Sequence, residues 1–255
     1  MYNPNDGLFA GVISFSVGQE AIAAIVWYAT FIAIAIVSYL LGSVNTAIIV
    51  SKTMYKDDIR KHGSGNGGLT NMHRTFGLKA AGLTLLGDML KTALAIFVTG
   101  TLLGFFYTHG ISGYIGYCYM SALFVVLGHI FPIYYGFKGG KGVLVTAVAA
   151  LILTPIPFAI LLLLFIAIVW VSGYISLGSV SAAVLYPVVI SGYFNVLGMP
   201  TEGITSLSTI IIAILIVWCH RENLKRISNR TERKFSFKKK PEIQLEKKDE
   251  SEDEE

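Results

Sequence analysis

Long apolar runs separated by short polar clusters set the pattern of this chain. Ala21–Leu41, Leu151–Val171 and Thr205–Cys219 contain no charged residue, and a helix that spans a bilayer needs ~20 mainly apolar residues. The pattern predicts spans near 22–50, 79–105, 113–135, 141–154, 156–172, 177–197 and 205–221. The fold class expected is an all-α polytopic membrane protein with about seven transmembrane helices. The fourth run is short for a bilayer and ends at Thr154-Pro155-Ile156-Pro157, which suits a tilted or partial helix lining a cavity.

Composition agrees and charge orients the spans. Of 255 residues, 54% are hydrophobic and 14% charged, with a mean hydropathy of +0.63. A soluble domain averages roughly 45–50% apolar and about 25% charged. Of the 20 Lys and Arg, six lie in Lys52–Lys79, two in Phe137–Lys141 and eleven after Trp218. Lys and Arg collect in cytosolic loops. The N-terminus is therefore expected outside and the C-terminus in the cytosol. This divides the chain into an extracellular segment 1–21, a membrane domain 22–228 and a charged, disordered cytosolic tail 229–255. The first residues lack the charged start of a signal peptide. Cys118 and Cys219 read as span residues, with neither a disulfide nor a metal site expected.

Polar residues gather in four clusters, all on the side assigned to the cytosol. The first, Gly63-Ser64-Gly65-Asn66-Gly67-Gly68-Leu69-Thr70-Asn71 with Arg74, places glycines where the backbone can approach a ligand. Successive amides of this kind make anion-binding nests, and Ser64, Thr70 and Arg74 add donors suited to phosphate. No strand precedes it, so it is not a dinucleotide fingerprint. The second, Lys138-Gly139-Gly140-Lys141-Gly142, follows Gly128-His129 and fails the Walker spacing. It still puts positive charge and free amides at a helix start. Lys138 suits a membrane anchor; Lys141, packed among glycines, does not. The third cluster holds Ser176 and Ser179. In the fourth, His220 and Asn223 share a helix face. Asp88 and Lys91, three apart within a span, read as a structural ion pair facing the bundle.

Taken in order, Tyr39-Leu-Leu-Gly-Ser43, the Gly63–Asn71 loop with Arg74, Leu86-x-Asp88-x-x-Lys91, Gly128-His-x-x-Pro132, Phe137-Lys-Gly-Gly-Lys-Gly142, Tyr174-x-Ser-Leu-x-Ser179 and His220-Arg-Glu-Asn223 form one collinear set. The set resembles the acyl-phosphate:glycerol-3-phosphate acyltransferases (PlsY) from about Tyr39 to Glu232. The resemblance implies a seven-span, metal-free and cofactor-free enzyme of the bacterial cell membrane, acting as a monomer at the cytosolic face. It implies transfer of a fatty acyl group from acyl phosphate to the 1-hydroxyl of glycerol 3-phosphate. The products would be 1-acyl-glycerol 3-phosphate and phosphate, the first step of phospholipid synthesis. No nucleic-acid partner is expected.

Carried onto matching positions, the resemblance gives Lys141 and Arg74 to phosphate charge, completed by Ser64. Ser176, His220 and Asn223 would orient the acceptor. Gly63, Gly65, Asn66, Gly68, Thr70, Asn71, Lys138, Gly139, Gly140 and Gly142 would form the binding loops. Asn45, Leu69 and Thr92 depart from the family pattern. Rival chemistries lack their signatures: no His is followed five residues later by Asp, and no Gly-x-Ser-x-Gly elbow occurs. A transporter would carry polar groups on both faces or at the midplane.

Overall fold

The computed structural model describes residues 17–106, 111–199, 201, 203–234 and 243. These are helical, with no strand among the described residues. The helices are α1 (Val17–Ser43), α2 (Thr46–Met54), α3 (Leu69–Phe76), α4 (Leu78–Phe106), α5 (Ile111–Ile130), α6 (Val143–Leu153), α7 (Pro155–Ser172), α8 (Ile175–Val196), α9 (Gly203–Cys219) and α10 (Arg221–Ser228).

Among the described residues, five segments are long and apolar enough to cross a bilayer: Tyr28–Met54, Leu78–Leu103, Tyr114–Tyr135, Pro155–Ser172 and Ile175–Val196. A sixth follows if α9 and α10, bent by 51°, count as one. The exteriors of these helices carry Phe97, Leu163, Trp170 and Val171, all largely exposed to the surroundings. In water such surfaces are aggregation sites; in lipid they are at home.

Three departures from the expected spans matter for the site. The first span is broken, because Asn45 caps α2 by accepting a hydrogen bond from the Ile48 amide at 3.1 Å. The last span bends at His220, which begins α10 instead of ending a straight helix. The fourth run, α6, has 11 residues. It rises only about 16 Å, against a hydrocarbon core of ~30 Å, so it is a partial helix, as its prolines imply. Helix α1 also starts at Val17, inside the segment 1–21 expected to precede the membrane domain; residues 1–16 lie outside the described residues.

The bundle is built around α5. It packs on α1, α4, α6 and α9, while α7 joins α6 and α8. Small residues make this closeness possible. A methyl group on Gly128 would sit 2.2 Å from the Tyr39 carbonyl oxygen on α1. The main core holds Val125, Val126, Tyr186, Ile190, Ile212 and Ile216 from α5, α8 and α9. A second cluster, Ile48, Ile59, Met72 and Phe76, knits α2 and α3 into a cap at one end of the bundle.

Within α4, Asp88 and Lys91 form the expected ion pair at 2.8 Å, almost wholly buried. Lys91 Nζ also donates to the Val44 carbonyl at 2.9 Å and to His129 Nδ1 at 3.0 Å. Three elements therefore meet at this one ammonium.

Candidate active site

The two glycine loops are separate in sequence and one object in space. Asp58 caps the turn Ile59–Lys61 and holds Arg60 through its Nη2 at 2.7 Å. That hydrogen-bonded guanidinium draws the Asp58 carboxyl down to about 2. Arg60 Nη1 then reaches across to the Tyr135 carbonyl at 2.7 Å. The Gly67 amide donates to the Gly139 carbonyl at 3.1 Å, and Asn45 Nδ2 donates to the Gly67 carbonyl at 3.1 Å. The loops brace each other.

Asn71 is the internal clamp of the first loop. Its Nδ2 donates to the His62 and Asn66 carbonyls, each at 3.0 Å, and its Oδ1 accepts from the Ser64 amide at 3.0 Å. Gly63 must be glycine here, with φ +56° and room for a Cβ only 2.1 Å from Asn71 Oδ1. The second loop is equally tight. A Cβ on Gly140 would lie 2.2 Å from His129 Nε2.

Above these loops four helices begin without a side-chain cap. They are α3 after Gly68, α6 after Gly142, α8 after Tyr174 and α10 after His220. Gly68, Gly142, Ser176 and His220 all line one cavity of 590 Å³. The first amides of a helix lack intrahelical partners, and each N-terminus carries roughly half a positive charge. Four of them converging make a cradle for anions.

Two cations reinforce it. Lys141 and Arg74 line the same cavity, with Ser64, Asn66, Thr70, Asn71 and Asn223. Lys141 Nζ hydrogen-bonds Asn223 Oδ1. Burial lowers Lys141 to about 8, opposed by the nearby negative charge of Glu232. His220 is buried, and its Nδ1 faces the Ile216 carbonyl at 2.8 Å. Nδ1 must donate there, which leaves the Nε2 lone pair free.

The sequence-derived residues thus divide. Ser64, Asn66, Gly68, Thr70, Asn71, Arg74, Lys141, Gly142, Ser176, His220 and Asn223 meet at the cavity. Gly63, Gly65, Gly139 and Gly140 shape the loops from behind. Lys138 does not join them: its side chain is exposed and its carbonyl accepts from Arg60 Nη1 at 3.3 Å.

The cavity is also lined by His73, Asp88, His129 and Glu232, which the sequence-derived site did not include. Glu232 Oε1 accepts from Ser176 Oγ and Asn223 Nδ2, each at 2.6 Å, and Oε2 pairs with Arg226 at 2.7 Å. Those donors hold the Glu232 carboxyl below its ordinary range against the opposing effect of burial. Residues 229–234, the start of the segment expected as a tail, turn back at Arg230, with φ +58°; 235–242 and 244–255 lie outside the described residues. The signal available in sequence was slight: a lone acid within the basic run 223–240.

The cavity changes character away from this cradle. Leu78, Gly82 and Leu85 of α4, Ala147 and Ala150 of α6, and Leu162 and Phe165 of α7 continue it as an apolar cleft. Helices α4 and α7 both pack on α6. The short α6 therefore leaves a recess between two longer walls, and Leu78 and Leu162 stand exposed at its lip.

The sequence model described as glycerol-3-phosphate acyltransferase matches residues 32–230. The chain belongs to that family. A glycerol-3-phosphate acyltransferase from Syntrophomonas wolfei is 39% identical over 209 residues, covering 81% of this chain and 97% of its own. One from Halalkalibacterium halodurans is 40% identical over 205 residues, covering 79% and 94%. The crystal structure of PlsY (YgiH), an integral membrane glycerol 3-phosphate acyltransferase, in its glycerol 3-phosphate form superposes with a TM-score of 0.68. It is 29% identical and covers 81% of this chain and 96% of that one. A second form of PlsY, with lysophosphatidic acid, superposes at 0.66. This chain is thus an integral membrane acyltransferase of the PlsY family, and phospholipid synthesis follows from that membership.

Its three departures from the family pattern now have physical settings. Asn45 is wholly buried, caps α2 and holds the first glycine loop. Thr92 is buried and bonds back to the Asp88 carbonyl at 2.7 Å within α4. Leu69 lines the cavity at the first position of α3, so it alone touches the space a ligand fills.

Proposed function

We propose that this enzyme takes its acyl group from an acyl phosphate and delivers it to the 1-hydroxyl of glycerol 3-phosphate. The observation that carries the reading is the pairing of an anion cradle with an apolar cleft in one cavity. Glycerol 3-phosphate and acyl phosphate are both phosphorylated, and only the donor needs a long apolar slot. Four helix N-termini, Lys141 and Arg74 suit two phosphate groups held close together.

The chemistry asks little more. An acyl phosphate is already activated, so no covalent acyl-enzyme is required. The acceptor hydroxyl oxygen attacks the carbonyl carbon, the bond from that carbon to the phosphate oxygen breaks, and the hydroxyl proton ends on the released phosphate. Orientation and charge neutralisation then supply most of the barrier reduction. Ser176 and Asn223 position the acceptor. The free Nε2 of His220 accepts the hydrogen bond of the attacking hydroxyl and passes its proton to the departing phosphate. Lys141 offsets the charge that grows on that phosphate. The products are 1-acyl-glycerol 3-phosphate and inorganic phosphate.

The distribution of Lys and Arg supports the orientation that puts the cradle in the cytosol and the N-terminus outside, with α6 counted as the fourth of seven membrane segments of a monomer in the bacterial cell membrane. Transport of a phosphorylated solute is disfavoured, because the polar groups crowd one end of the bundle.

The test offers purified, detergent-solubilised enzyme glycerol 3-phosphate with palmitoyl phosphate and, in parallel, palmitoyl-CoA. Product from the acyl phosphate alone is expected. Product from the thioester alone would refute the donor assignment.

A further inference from the structure

The apolar cleft has a definite floor. Along α8 the cavity-lining residues Ser176, Ser179, Ala182, Ala183 and Tyr186 fall on one face, at the spacing of successive turns. The next residue on that face, Ile190, is buried in the main core with Tyr186. On α6 the lining ends at Ala150, one turn before Thr154, and on α7 it ends at Phe158. Three helices thus stop contributing to the cavity at one level. The ten residues from Ser176 to Tyr186 place that level about 15 Å from the polar end.

The floor is stiff. Tyr186 is 2% exposed, its ring centroid is 6.4 Å from that of Tyr119, and Tyr119 Oη is 2.7 Å from Thr154 Oγ1. A buried ring with two rotatable bonds, backed by a second ring and a hydroxyl pair, has little freedom to move aside. The residues above it are smaller: Ala183 on α8 and Ala147 on α6 leave the bore open.

We propose that Tyr186 is the stop that sets which acyl-chain length this enzyme prefers. This rests on the reading that the acyl chain of the substrate occupies the cleft. A chain whose methyl end just meets the ring buries all its methylenes while its head remains in the cradle. One that is too long must bend out of the cleft, losing buried methylenes, or lift its head from Lys141; a shorter one leaves apolar space unfilled. Cutting Tyr186 back deepens the bore. Enlarging Ala182, which lines the cleft and is only half-buried, shortens it.

The experiment is a competition. Wild-type enzyme, Tyr186→Ala and Ala182→Phe each receive glycerol 3-phosphate and an equimolar mixture of dodecanoyl, tetradecanoyl, hexadecanoyl and octadecanoyl phosphates. Products are resolved by mass spectrometry, so ratios within one tube do not depend on how much enzyme folded. One methylene gained or lost in an apolar pocket shifts discrimination by roughly ten-fold or more. Tyr186→Ala should favour longer products and Ala182→Phe shorter ones. Product ratios like those of the wild type in both variants would overturn the stop.

Should the wild type make no product from any acyl phosphate, the donor reading fails and the stop is judged by binding instead. Thermal stabilisation of the same three proteins by 1-acyl-glycerol 3-phosphates of these lengths must then shift in opposite directions. An unshifted length dependence overturns the proposal whatever the donor.

Discussion

Two lysines of this enzyme, fifty residues apart, show what burial does to a charge. Lys91 is paired on every side: it donates to the Val44 carbonyl and His129 Nδ1, and its ammonium lies 2.8 Å from Asp88 Oδ1. Lys141 is also sheltered, but among the described residues it hydrogen-bonds Asn223 and otherwise faces the cavity. The first lysine ties α4 to α5 and to the break between α1 and α2. The second stands beside the proposed anion site, with no ion pair to a carboxylate among the described residues. A buried cation that is fully paired serves the fold; one left under-paired beside a cavity is available to a ligand.

The largest effect expected from this contrast is on turnover. Lys141→Met should lower kcat/KM by at least about 10²-fold, the scale of losing one group that stabilises transition-state charge. Its melting temperature should stay level or rise, since a desolvated ammonium is removed. Retained turnover above a few per cent of wild type would break the distinction.

Next comes a stability effect of the opposite kind. Lys91→Met should destabilise the protein by about 3–5 kcal/mol, because Asp88 is left charged and unpaired in the bundle. Adding Asp88→Leu should recover most of that loss in thermal unfolding. A Lys91→Met protein as stable as wild type would mean that the pair is dispensable.

The pH profile sharpens the comparison further. Burial depresses Lys141 to about 8 in the free enzyme. It is charged below that value and neutral above it. The kcat/KM for glycerol 3-phosphate should therefore fall as pH rises through about 8, in initial-rate assays at fixed ionic strength. Bound phosphate favours the charged form, so the corresponding limb of kcat should lie at higher pH. The smallest expected change is a shift of that limb. Glu232 raises the Lys141 value, so Glu232→Gln should move the kcat/KM limb to lower pH. A shift to higher pH would contradict the placement of Glu232.

Much of this was legible before any coordinates. Uncharged runs and basic clusters define where the helices lie, because a backbone in lipid has few alternatives to helix. The two glycine loops stood out as candidate phosphate cradles because glycine and lysine together have few bland uses, and residues of both line one cavity. Their mutual bracing did not stand out, since the Gly67–Gly139 bond joins positions seventy-two residues apart and leaves no local trace. Asn45 was visible as a departure but not as a cap, because it interrupts a run that periodicity alone treats as one helix. Glu232 escaped for a related reason. Its place depends on a reversal at Arg230, a non-glycine residue with positive φ, which composition reads as the start of a solvated tail.

The brevity of α6 has a consequence for how such an enzyme is measured. With an acyl phosphate as the proposed donor, the recess α6 leaves between α4 and α7 has glycerol 3-phosphate arriving from water and the acyl reactant drawn from the plane of the bilayer. Its rate is then governed for the second reactant by crowding in two dimensions. An apparent KM for the lipid reactant should scale with its mole fraction in the micelle or vesicle, and diluting the whole suspension with buffer should leave that term untouched.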